Sequence, residues 1–121
     1  MIFLSTTHEN RFFQLLDRVE INGRKINVEN QSVMYMIALI ETGLGRNLAN
    51  KIFDFENNSV RPNCVDDGWQ TGTTCRATRL AFSLWNGFPS ADQRDCNPFN
   101  LFGCEWDAYF IEALKIRYEI D

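Results

Sequence analysis

Eight consecutive apolar residues, Val33 to Ile40, lie in the first half of the chain. Their sequence is Val-Met-Tyr-Met-Ile-Ala-Leu-Ile, so no face of a helix built from them would be polar. The run is far shorter than the roughly 18 apolar residues that suggest a membrane span. A helix that is apolar on every side must be enclosed by other elements. The run therefore predicts a central helix from about Asn30 to Thr42, with Gly43 as its natural stop.

The rest of the chain supplies material to enclose it. There are 121 residues, 45% of them apolar, with ten Phe, three Trp and three Tyr. That is enough to bury a core without staples, and the aromatics contribute large apolar areas. Thr6 followed by Glu9 has the capping-box spacing. It opens a helix from about Thr7 to Val19 with Phe12, Phe13, Leu15, Leu16 and Val19 as its apolar stripe. A third helix is expected from about Arg46 to Phe53, ended by the polar string Asp54 to Asn58. A fourth is expected from about Thr73 to Asn86, closed by Gly87. A fifth is expected from about Glu105 to Tyr118, with Trp106, Tyr109, Phe110, Ala113, Leu114 and Arg117 at helical spacing. Asn97-Pro98 fits a short helical turn, since Asn caps well and Pro is tolerated at the first position. The predicted class is mainly α: one compact domain over residues 1–121, a bundle of about five helices with two long loops and room for a short β-hairpin.

The two irregular stretches, Ser59–Gly72 and Phe88–Gly103, are long for a compact domain and need something to tie them down. All four cysteines, Cys64, Cys75, Cys96 and Cys104, fall within or beside them. Four thiolates can hold one zinc ion tetrahedrally, which would staple both loops. Those four residues are the candidate ligands of a structural zinc. The gaps between them are ten, twenty and seven residues, without the C-x-x-C pairs that mark a zinc site strongly. The same residues also read as buried thiols acting as small hydrophobes. Disulfides are disfavoured in the reducing cytoplasm expected for a chain without a secretory signal.

Net charge is −4, and residues 54–121 carry six basic against eleven acidic side chains. Such a balance is poor for gripping a phosphate backbone, so direct nucleic-acid binding is not expected. It suits solubility and can speed encounter with a basic partner.

Catalytic chemistry has little to work with. A cysteine nucleophile needs a base, and His8 is the single histidine. The carboxylate pairs Asp54/Glu56 and Asp66/Asp67 more often cap and fill turns than do acid–base work. Arg76 and Arg79 lie one helical turn apart and suit either an acidic partner or the chain's own carboxylates. No phosphate-loop, dinucleotide or zinc-protease string occurs, and the protein is read as non-enzymatic.

Several strings carry a resemblance. They are His8-Glu9 with Arg11-Phe12, then Ile52 to Asn58, Arg61-Pro62 with Cys64, Thr78 to Gly87, and Ala113 to Tyr118. Together they resemble a family of short proteins of unknown function, carried by bacteriophages and mobile elements of Gram-positive bacteria. That resemblance implies a setting and assigns no catalytic residue. In that setting small acidic proteins often bind and inhibit a host protein, and some are anti-CRISPR inhibitors of the effector nuclease. Two other expectations stand beside this one: a structural or regulatory phage protein without a host-defence target, and a small metal-dependent enzyme.

Overall fold

The apolar run lies at the centre of a helix, α2 (Val28–Leu44), in the computed structural model of the protein, which describes residues 1–86 and 96–121. Every residue from Val33 to Ile40 is fully shielded from solvent. Asn27 starts this helix, its side-chain oxygen accepting the backbone N–H of Asn30 at 2.8 Å. The residue that stops it is Gly45 and not the expected Gly43. Gly45 adopts φ +64°, the left-handed conformation that ends helices, and its N–H returns to the carbonyl of Glu41. Gly43 stays helical because its missing side chain is needed for packing: a Cβ there would sit 2.4 Å from a ring carbon of Trp106.

In chain order the elements are α1 (Thr6–Ile21), α2, the one-turn α3 (Ala49–Ile52), strands β1 (Phe53–Asp54) and β2 (Ser59–Val60), a 3-10 turn (Pro62–Asp66), α4 (Gly72–Asn86), the one-turn α5 (Pro98–Leu101) and α6 (Asp107–Tyr118). The long helices α1, α4 and α6 all pack on α2. The architecture is mainly α, a compact single domain with a small hairpin, and among the described residues it has six helices, two of them single turns. The expected end of α4 at Gly87, and residues 88–95 of the second irregular stretch, lie outside the described residues.

Local chemistry moves several expected boundaries. Ser5, not Thr6, caps α1: its hydroxyl accepts the N–H of His8 at 3.2 Å. Phe12, Leu15 and Val19 form the buried stripe of α1, whereas Phe13 is 54% exposed. The third helix shortens to one turn because Phe53 leaves it to pair with Val60, and Asp54 pairs with Ser59, in an antiparallel register. The string Asp54 to Asn58 is the hairpin turn. Asp54 accepts the N–H groups of Glu56 and Asn57, each at 3.1 Å, and the Asn57 side-chain amide at 2.7 Å. Those bonds, led by the Asn57 amide, hold its carboxyl below the ordinary 3.8. Thr71 and Thr74 cap the start of α4 reciprocally, each hydroxyl accepting the other's N–H. Arg117 ties the end of α6 to two neighbours, donating to the Leu84 carbonyl at 2.7 Å and pairing with Glu29 at 3.3 Å.

Candidate functional site

His8 is the one side chain that could activate a thiol, and its surroundings decide whether it can. His8 is completely buried in the first turn of α1, between the rings of Phe3, Tyr35 and Tyr109. Its Nδ1 accepts the backbone N–H of Leu4 at 3.0 Å. A backbone N–H can only donate, so the ring proton sits on Nε2, which donates to the Tyr35 carbonyl 3.0 Å away. Burial lowers its pKa below the ordinary 6.5, against the opposing pull of that carbonyl. Both nitrogens are spent on backbone groups, and the side chain holds the segment before α1 onto α2.

The cysteines are distributed along the opposite part of the chain. Cys64, in the 3-10 turn, is 3% exposed. Burial first, then the neighbouring Asp67 and Cys75, pushes its thiol up to about 12. An uncharged, buried thiol is a poor nucleophile. Cys75, half-buried in the first turn of α4, faces the Val65 carbonyl at 3.7 Å. Cys96 precedes α5 and Cys104 precedes α6, both half-buried, and burial also raises the Cys104 thiol. Among the described residues no disulfide joins them, and no group of three or more His, Cys, Asp or Glu side chains is placed to hold a metal ion.

The paired acids act locally. Asp54 organises the hairpin turn, and Asp67 accepts the Trp69 indole N–H at 2.9 Å. Arg76 donates to the Phe102 carbonyl at 3.1 Å.

One further site is not legible as a motif. A cleft of about 540 Å³ opens between α1 and the turn joining α2 to α3. Glu41, near the end of α2, forms its floor and is only 4% exposed. One carboxylate oxygen takes the Nε–H of Arg11. The other takes the backbone N–H groups of Leu48 at 2.6 Å and Ala49 at 2.8 Å, together with a second Arg11 nitrogen at 3.3 Å. Glu41 thereby caps the start of α3 and neutralises Arg11. The rest of the lining is polar and cationic: Asn10 and Gln14 from α1, then Arg46 and Asn47 from the turn. One signal could have found it. Glu41 directly follows the all-apolar run, and a carboxylate fixed against a core demands a cation and donors.

Away from the cleft, several large apolar side chains stay in solvent. Phe99, on α5, is 93% exposed although Leu101 anchors the same turn in the core. Phe13, Ile21, Tyr118 and Ile120 are also exposed. Among the described residues no helix is long and apolar enough to cross a membrane.

The chain belongs to DUF6075, a family of unknown function, which matches it over residues 1–121. No curated protein and no solved structure matches it.

Proposed function

We propose that this protein acts by binding a host protein and inhibiting it, in the cytoplasm of a bacterial host, with no chemistry of its own. Its most concrete form is an anti-CRISPR inhibitor of a CRISPR effector nuclease. The observation that carries the binding reading is Phe99, an aromatic ring held out in water on a turn whose other side is anchored. Aromatic side chains presented on a fixed backbone are what protein interfaces use as anchors, because they bury much area for little lost rotamer freedom. His8 supports the absence of cysteine–histidine chemistry, since neither ring nitrogen is available to take a proton from a thiol. The resemblance to short phage and mobile-element proteins supplies the setting for a host target. The net charge of −4 favours a protein partner over a nucleic acid.

The test is co-purification with the effector nuclease of a Gram-positive host, followed by a cleavage assay on target DNA. The expected result is a complex that survives washing and leaves the DNA uncut. Absence of binding together with unimpeded cleavage removes the anti-CRISPR form.

A further inference from the structure

We infer that the cleft between α1 and the α2–α3 turn is a binding site for a small anion carrying a carboxylate or phosphate group. The inference is independent of the protein-binding reading.

Its basis is a mismatch of charge inside the cleft. Two guanidinium groups, Arg11 and Arg46, line it against one carboxylate, Glu41. That carboxylate is already occupied by Arg11 and by two backbone N–H groups, so it has little left to offer Arg46. In a chain of net charge −4 this is a local reversal of sign.

The donors are also unspent. Among the described residues, the side chains of Asn10, Arg46 and Asn47 have no hydrogen-bond partner, although all three line the same concavity. Arg46 directly follows Gly45, whose left-handed backbone turns the chain over the end of α2. Its N–H is bound to the Glu41 carbonyl at 3.2 Å, so the residue's backbone is fixed while its guanidinium stays available. A guanidinium matches a planar carboxylate or a phosphate through two parallel N–H bonds, and the neighbouring amides can take the remaining oxygens. At about 540 Å³ the cleft lies within the range of small-molecule sites.

The experiment is an amide-resolved NMR titration of the full chain with inorganic phosphate in one arm and succinate in the other. Sodium chloride at matched ionic strength is the control. The expected result is saturable shifts centred on Asn10, Gly45, Arg46 and Asn47 with at least one probe. Arg46→Ala, a change at an exposed side chain, should weaken binding by about tenfold or more, and Arg46→Lys less. The arm that saturates at lower concentration identifies phosphate or carboxylate as the preferred group. Shifts that sodium chloride reproduces, that fail to saturate at tens of millimolar, or that persist unchanged in Arg46→Ala overturn the inference.

Discussion

The backbone N–H of Leu4 donates to Nδ1 of His8 at 3.0 Å, and that bond ties the segment before α1 to one protonation state of the ring. Protonating His8 would place a proton on Nδ1 facing another donor, inside a cage of Phe3, Tyr35 and Tyr109. The folded pKa lies below the ordinary 6.5, so in the window beneath 6.5 the unfolded chain binds the extra proton first. Stability is therefore full above about pH 6.5 and declines as pH falls from there toward the folded value. Urea midpoints at pH 7.5 and 5.5 should show the lower value at 5.5. His8→Gln, which cannot titrate, should flatten the dependence. The carboxyls of Asp54 and Asp107 are held below 3.8 and titrate lower still, outside this window.

Trp106 fills the space that a side chain at Gly43 would need, with ring carbons 2.4 and 2.6 Å from the missing Cβ. Gly43→Ala should push the rim of the indole away from α2 and lower stability by about 1 kcal/mol, the low end of overpacking costs because Gly43 itself is exposed. Chemical denaturation measures it. Combining Gly43→Ala with Trp106→Leu should recover part of the loss relative to the sum of the single changes, since the clash is then gone.

Glu41 joins three elements through one carboxylate. Glu41→Ala would leave the Leu48 and Ala49 N–H groups without an acceptor and Arg11 without its partner. The expected loss is about 3 kcal/mol, toward the lower end for a broken buried pair because Arg11 can turn toward water. Glu41→Gln keeps an oxygen for the backbone groups and should cost less. Loss of amide-exchange protection at Leu48 and Ala49 would locate the effect at the start of α3.

These relationships separate what the residues disclose locally from what only packing decides. The all-round apolar run forced α2 to the centre, and periodicity placed α1, α4 and α6 to within a few residues. Gly43 and Gly45 both look like helix stops. The choice between them is made by Trp106, some sixty residues further along the chain. Phe12 and Phe13 are adjacent, and spacing alone puts both on the apolar stripe, yet Phe12 is buried and Phe13 exposed. A short hairpin is expected only within Ser59–Gly72, yet its turn is Asp54 to Asn58, because an Asp-led polar string can end a helix or turn a strand equally well. His8 was unreadable for a different reason: its partners are backbone groups of Leu4 and Tyr35, which carry no sequence signal. The cleft combines residues from α1 and the α2–α3 turn, so no single motif announces it.

Cys64 should be the slowest of the four cysteines to react. Its sulfur is buried and its thiol is pushed up to about 12, so thiolate is scarce at pH 8. Alkylation of the native protein followed by peptide mapping should leave Cys64 unmodified until denaturant is added. Modification of Cys64 in the native state, as fast as that of an unfolded control, would contradict its placement.

Under the proposed recognition through surface aromatics, the equilibrium affinity for the effector nuclease depends on Phe99. It should be measured for the native chain and for Phe99→Ala. Because Phe99 is 93% exposed, its truncation should leave the melting temperature unchanged. The native chain should bind measurably, and the variant should lose about tenfold or more in affinity, the scale of an aromatic anchor. A native chain that does not bind, or a folded Phe99→Ala variant that binds as well as the native one, would contradict that proposal.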